Sequence, residues 1–224
     1  MLRAILFDFN GVIVDDEAVH FSLFQRVFEE EGLHLGEKEY YTTYIGMDDR
    51  GCFSAVLESH EARVSEERLK ELIARKACYY REKINDEIVF FPGVADFIRS
   101  ISRHCHLGVV SGALRSEIVA ILERAGLMDC LRVIVSADET KKWKPDPEGY
   151  LTALSILNRQ VRPKILALEC LAVEDTPAGI ESAHRAGMKC IAVTNSHSRE
   201  ELRGAELVLD TLKEVAWERM AFLF

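Results

Sequence analysis

Short runs of consecutive apolar residues punctuate the chain: Ala4-Ile5-Leu6-Phe7, Leu107-Gly108-Val109-Val110, Val133-Ile134-Val135, Cys170-Leu171-Ala172-Val173 and Cys190-Ile191-Ala192-Val193. None alternates with polar residues, which is the pattern of strands buried on both faces, as in a parallel sheet covered by helices. Helical signals separate the later runs. Asp146-Pro147 predicts an N-cap with proline in the first turn, leading into Tyr150 to Leu157. Thr176-Pro177 repeats that signature, and Gly187 supplies a stop. Strand and helix alternate from about residue 92 onward, which predicts an α/β fold with a doubly wound, Rossmann-like parallel sheet.

The preceding stretch has a different period. Phe21, Phe24 and Phe28 recur at helical spacing, Leu23 and Val27 widen the stripe, and Gly32 can end that helix. Ser65 to Ile84 predicts a second long helix, opened by Ser65 with Glu66 and Glu67 in its first turn. A plain strand–helix–strand unit takes about 30 residues, whereas roughly 100 separate the first two apolar runs. The excess predicts an all-helical cap subdomain inserted at 15–90, with the α/β core made of 1–14 plus 91–224. Linkers are expected near 13–16 and 86–92, and Phe91-Pro92-Gly93 marks the return to the core.

Composition removes several classes of function. Of 224 residues 48% are apolar, enough for a sizeable core. With 28 Lys and Arg against 37 Asp and Glu, the formal charge is −9, which argues against nucleic-acid or anionic-membrane partners. No apolar run approaches the roughly 18 residues of a membrane span, and Met1 to Phe7 reads as a strand rather than a leader. A cytoplasmic monomer or weak homodimer is the expectation. The cysteines at 52, 78, 105, 130, 170 and 190 lack metal or redox spacing and are expected to be free, mostly buried thiols. His104-Cys105-His106 precedes a strand, where adjacent residues point to opposite faces, so it reads as structural.

Ligands of open α/β sheets bind beyond the carboxyl ends of the strands. The residues found there are Asp8-Phe9-Asn10-Gly11-Val12, Ser111-Gly112, Lys144-Pro145-Asp146-Pro147 and Glu174-Asp175. Three carboxylates brought to one crevice cannot all stay ionised without a cation. Their hard oxygen ligands favour Mg²⁺, which retains waters and takes up phosphate oxygens. Ser111 with the N–H groups of Gly112 and Ala113 is read as the opening of a helix that could receive an anion, and Lys144 as its neutralising charge. That chemistry points to Mg²⁺-assisted phosphoryl transfer with Asp8 as nucleophile.

These segments resemble, in order, the four motifs of the haloacid dehalogenase superfamily: residues 3–15, 107–112, 144–147 and 171–179. The branch they resemble holds phosphoglycolate phosphatase and β-phosphoglucomutase, and its helical cap lies where the insertion lies here. The resemblance implies that Asp8 attacks phosphorus to give an aspartyl-phosphate. It implies that Asp8, the backbone carbonyl of Asn10, Glu174 and Asp175 surround the Mg²⁺ cofactor, and that Ser111, Gly112 and Lys144 hold the transferring group. In the cap, His20, Gly46, Arg50 and Lys76 resemble positions that contact the far end of a small phosphorylated metabolite.

Asn10 departs from the pattern. Phosphatases of the superfamily usually carry a second aspartate there, which protonates the leaving oxygen and then activates water. Three accounts compete: an engineered substitution; a native residue with Asp15, Asp16 or His20 moving the proton; or a protein that binds phosphate and Mg²⁺ with little catalysis. A sugar-phosphate mutase is a further alternative, which His20 and Lys76 favour. Each residue also has a plain structural reading: Asp8 as a turn aspartate, Ser111 as a helix cap, Lys144 as a solvated lysine, and His20 as a packed core histidine. Arg50, Lys76, Arg115 and Arg199 could equally be surface charge.

Overall fold

The apolar runs become strands because both of their faces are covered: Ala4, Ile5, Leu6 and Phe7 are all 0% exposed. The computed structural model describes residues 1–87 and 89–224. Its strands are β1 (Ala4–Phe7), β2 (Val14–Asp15), β3 (Val89–Phe90), β4 (His106–Val110), β5 (Val133–Val135), β6 (Cys170–Glu174), β7 (Lys189–Val193) and β8 (Leu207–Leu209). Its helices are α1 (Glu17–Glu30), α2 (Glu37–Glu39), α3 (Asp49–Ser59), α4 (Glu66–Glu87), α5 (Val94–Ile101), α6 (Arg115–Arg124), α7 (Glu148–Gln160), α8 (Pro177–Arg185) and α9 (Trp217–Ala221). The chain divides into two units, Met1–Val14 with Phe90–Phe224, and Asp15–Val89. Of the linker expected near 86–92, Ile88 lies outside the described residues.

The larger unit holds a six-stranded sheet in the order β5-β4-β1-β6-β7-β8, and every pairing in it is parallel. The chain moves outward from β1 through β4 to β5, then returns to the other side of β1 for β6, β7 and β8. The end of β1 is therefore a topological switch point, where a crevice opens. Register levels the neighbouring ends: Phe7 faces Val109 on one side and Val173 on the other. Helix α5 covers one face, with Phe7 edge-on to Phe97 at 6.3 Å. Tyr150, Ala153 and Leu157 of α7 and Ile180 and Ala183 of α8 pack with Leu6, Val110 and Ala172.

Several local expectations shift. Strand β8 was not among the five apolar runs; a three-residue segment beginning directly after Gly204-Ala205-Glu206 carries little periodic signal. Pro147, not Asp146, stands at the N-cap of α7, and the Asp146 carboxylate instead accepts from the Glu148 N–H at 3.1 Å. Thr176 caps α8 as expected, accepting from the Gly179 N–H at 3.0 Å. Burial of the thiols extends only to Cys52, Cys170 and Cys190; Cys105 and Cys130 are half-buried and Cys78 is exposed, and all are free. His104 stacks on Trp217 with ring centroids 4.9 Å apart, a packing role.

In the smaller unit α1 packs on α3 and α4 through Phe24, Val27, Phe28, Phe53 and Leu72. The rings of Phe24 and Phe28 meet Phe53 at 5.0 and 5.2 Å. Ser65 opens α4, its hydroxyl accepting from the Arg68 N–H at 3.2 Å. A lysine is buried in this helical core. Lys76 is 1% exposed, and its ammonium lies 2.6 Å from Asp49, 2.7 Å from Nδ1 of His20 and 4.3 Å from the centre of the Phe24 ring. Because Lys76 donates to Nδ1, His20 carries its own proton on Nε2, which faces the Asp16 carboxylate at 3.1 Å. Asp16, itself buried, also accepts from the Tyr80 hydroxyl.

An ammonium this deep depends on its carboxylate, since removing one partner of a buried pair leaves the other charge uncompensated. Asp49→Ala is therefore expected to cost about 3 kcal/mol, read as a lowered urea midpoint. Lys76→Met keeps the buried volume and leaves Asp49 partly in water, so its midpoint should fall much less. Equal losses in the two variants would show that the pair does not govern the stability of this core.

Candidate active site

Four strand ends of the larger unit supply the site. The β1 ladder continues one step past the strand, with the Asp8 N–H on the Val173 carbonyl at 2.9 Å, which sets Asp8 beside Glu174 and Asp175. On the other side the Ser111 N–H reaches the Val135 carbonyl at 2.9 Å. Lys144 arrives from the long segment after β5. Its ammonium lies 2.9 Å from Oδ1 of Asp8 and 2.7 Å from Oε1 of Glu174. Ligand oxygens of Asp8, Glu174 and Asp175 all lie within 4.8 Å of one another. One ammonium thus faces three carboxylates.

Burial sharpens that imbalance. Glu174 is 0% and Asp175 2% exposed. Burial pushes the Glu174 carboxyl up to about 7, although Lys144 pulls against it. Asp175 is raised well above the usual aspartate range by burial, then by the charges of Asp8 and Glu174. Burial works against the Lys144 ammonium, but Asp8 and Glu174 outweigh it and hold its affinity for a proton above the ordinary lysine value.

Two oxygens here, Oε2 of Glu174 and Oδ1 of Asp175, are buried and have no hydrogen-bond partner among the described residues. Orphaned buried carboxylate oxygens are costly unless a proton or a cation meets them. Hard oxygen donors in this number suit Mg²⁺, so the residues fit the ion. Glycine is required at position 11: its φ is +77°, and a β-carbon there would strike the Asp175 carboxylate. A β-carbon at Gly179 would likewise strike Glu174.

The sequence-predicted residues divide between the two units. Asp8, Asn10, Ser111, Gly112, Lys144, Glu174 and Asp175 lie at the strand ends of the larger one. The Asn10 side-chain oxygen accepts from Ser111 at 3.4 Å. The Ser111–Ala113 segment is not the start of a helix: α6 begins at Arg115 behind Leu114, and the Ala113 N–H is taken by the Ser111 hydroxyl at 3.0 Å. His20, Gly46, Arg50 and Lys76 lie in the helical unit. His20 and Lys76 join the buried chain described above, and Gly46 makes a turn with φ +78°. Arg50 grips both oxygens of Glu66 at 2.8 and 2.9 Å. Arg115 pairs with Glu139 and Arg199 with Asp210, both as plain surface charge.

Three residues around the carboxylates were not anticipated. Tyr150 was read only as helix, yet its hydroxyl donates to Glu174. Ser196 donates to Asp175, and the Asn195 amide donates to the Gly11 carbonyl at 2.6 Å. Reading the end of the Cys190–Val193 run as the other strand ends were read leads straight to Thr194-Asn195-Ser196.

Comparison with known proteins gives a consistent picture. The haloacid dehalogenase-like hydrolase family matches residues 5–193. Validoxylamine A 7'-phosphate phosphatase of Streptomyces hygroscopicus subsp. limoneus is 30% identical over 218 residues, 97% of each chain. The β-phosphoglucomutase structure from Clostridium difficile superposes with a TM-score of 0.84 at 25% identity, covering 99% of this chain and 96% of that one. A CbbY mutant of Rhodobacter sphaeroides, an aspartate-to-asparagine exchange solved with xylulose-1,5-bisphosphate, gives 0.84 at 25% identity and covers 96% and 97%. Among the described residues no helix is long and apolar enough to cross a membrane.

The raised carboxyls set a pH dependence. Without metal the native site holds more protons than the unfolded chain between about 4.5 and 7, so stability declines as pH rises through that window. A cation must displace those protons. The rise in unfolding temperature on adding MgCl₂ to EDTA-treated protein is expected to be small at pH 5 and to grow toward pH 8. A rise independent of pH would place Mg²⁺ elsewhere.

Proposed function

The chain belongs to the haloacid dehalogenase-like hydrolase family, and we propose that it is a Mg²⁺-dependent phosphatase of small phosphorylated sugars working through an aspartyl-phosphate on Asp8. The observation that carries this reading is the crevice at the switch point, where one ammonium faces three carboxylates and two of their buried oxygens have no hydrogen-bond partner among the described residues. Asp8, the Asn10 backbone carbonyl, Glu174 and Asp175 would hold Mg²⁺, which polarises phosphoryl oxygens as a Lewis acid. The Asp8 carboxylate attacks phosphorus as the ester oxygen departs. Lys144 and the Ser111 hydroxyl hold the phosphoryl oxygens during that transfer, with the Lys144 ammonium 2.9 Å from the attacking Asp8 carboxylate. Water then cleaves the aspartyl-phosphate. The sugar-phosphate class is supported by the names of the relatives, a β-phosphoglucomutase and a CbbY bound to a sugar bisphosphate.

The helical unit is the proposed cap, which closes over the substrate, excludes water and supplies specificity. His20, Gly46 and Arg50 are its proposed contacts with the sugar; Lys76, also expected there, is instead 1% exposed and held by Asp49 and His20.

Asn10 supports a second reading. Departure of the ester oxygen calls for a proton, and attack by water calls for a base. An amide supplies neither near neutral pH. Loss of general acid–base help costs about 10²- to 10⁴-fold, which leaves a slow phosphatase or a phosphate-binding protein with little turnover. The CbbY mutant holds its bisphosphate despite an aspartate-to-asparagine exchange, so binding without rapid turnover is compatible with this fold.

Hydrolysis of an aryl phosphate in the presence of Mg²⁺ separates these readings. Asp8→Ala is expected to abolish phosphate release, and release that persists in that variant would overturn the nucleophile assignment. Asn10→Asp is expected to accelerate it by about 100-fold or more. Equal, measurable rates for the unaltered chain and Asn10→Asp would mean that another group moves the proton.

A further inference from the structure

Glu174 and Asp175 meet the same treatment from residues that the mechanism above does not use. Tyr150, 0% exposed on α7, donates its hydroxyl to Oε1 of Glu174, the oxygen that Lys144 also reaches at 2.7 Å. The other oxygen of that carboxylate, Oε2, is the buried atom without a partner among the described residues. Ser196, in the loop after β7, donates to Oδ2 of Asp175, and Oδ1 is the corresponding orphan. Both carboxylates thus have one oxygen bound by a hydroxyl and the other left bare.

The two hydroxyls are themselves held in place. Tyr150 is fixed by the packing of α7 on the sheet, against Leu6, Val110 and Ala172. The loop carrying Ser196 is tied to the turn after β1 by Asn195, whose amide donates to the Gly11 carbonyl at 2.6 Å. Gly11 leaves room for the pair, since a β-carbon there would meet Asp175 and come within 2.9 Å of the Ser196 hydroxyl. A carboxylate turns easily about its last torsion, which has broad minima. A hydroxyl offers a single proton, so each contact selects the oxygen that is engaged and the one that is presented.

Resting on the Mg²⁺ reading already proposed, we infer that Tyr150 and Ser196 are positioning residues that lock the orientation of the Glu174 and Asp175 carboxylates for the divalent cation. Partners of metal ligands commonly alter affinity or activity by about 10- to 100-fold when removed, because they fix ligand orientation. Tyr150→Phe deletes one oxygen from a buried ring and keeps its shape. Ser196→Ala does the same in a half-buried loop.

The test is calorimetric titration of MgCl₂ into EDTA-treated protein, with the unfolding temperature of each metal-free variant as a control. Each substitution is expected to weaken Mg²⁺ binding about 10- to 100-fold, while the metal-free unfolding temperature stays near that of the unaltered chain. The Mg²⁺ concentration giving half-maximal hydrolysis should rise by the same factor, with much of kcat recovered at saturating Mg²⁺. Ser196→Thr, which returns a hydroxyl, should restore affinity. Unchanged Mg²⁺ affinity in Ser196→Ala and in Tyr150→Phe would overturn the inference, and Ser196→Ala decides alone should the tyrosine variant fail to fold. An unaltered chain that takes up no Mg²⁺ would sink the metal-site reading itself, and this inference with it.

Discussion

One ammonium among three carboxylates, two of them buried, is the constraint on which the rest of the larger unit depends. Lys144 bridges Asp8 and Glu174, and without it two adjacent anions would share a largely buried crevice. Lys144 alone does not balance the charge. Glu174 and Asp175 answer by holding protons more tightly than carboxyls in water do, and each leaves one oxygen unmet. A site that is costly in isolation suits the proposed cation, and through it an anionic substrate. Strain of this kind is stored where function needs it.

The scaffold carries that cost through rigidity. Parallel pairing fixes Asp8 level with the residues at the ends of β4 and β6, so the relative heights of Asp8, Ser111 and Glu174 follow from backbone hydrogen bonds rather than from loops. Gly11 and Gly179 then let the carboxylates approach the backbone where any side chain would collide. The helical unit repeats the principle on a smaller scale. Lys76, buried among aromatic rings, is matched by Asp49 and by the chain through His20 to Asp16 and Tyr80. Each unit is organised around a lysine whose charge its neighbours must meet.

Asn10 stands apart from this economy. Its backbone and its size suit the turn after β1, and its side-chain oxygen lies near Ser111. Nothing about the packing penalises an amide there. On the proposed mechanism the consequence of the residue is the loss of a group that can give and take a proton.

Much was legible in the sequence. Five strands, the parallel architecture and the residues at four strand ends were readable because apolar runs buried on both faces and the motifs that follow them are local patterns. Asp8, Lys144, Glu174 and Asp175 could be named without coordinates for that reason. Other features depended on contacts distant in sequence. Tyr150 lies 24 residues from Glu174, Ser196 lies 21 from Asp175, and Asn195 lies 184 from Gly11. Lys76 was legible only as a substrate contact or a surface charge, because nothing in its own helix reveals that Asp49 and His20 converge on it. The sequence by itself determined which groups stand at the strand ends, since the unbroken apolar runs and the residues that bound them are written locally. Only the tertiary structure decided which oxygen of each carboxylate is bound and which is bare, because a hydrogen bond between distant segments exists only once the chain has closed around it.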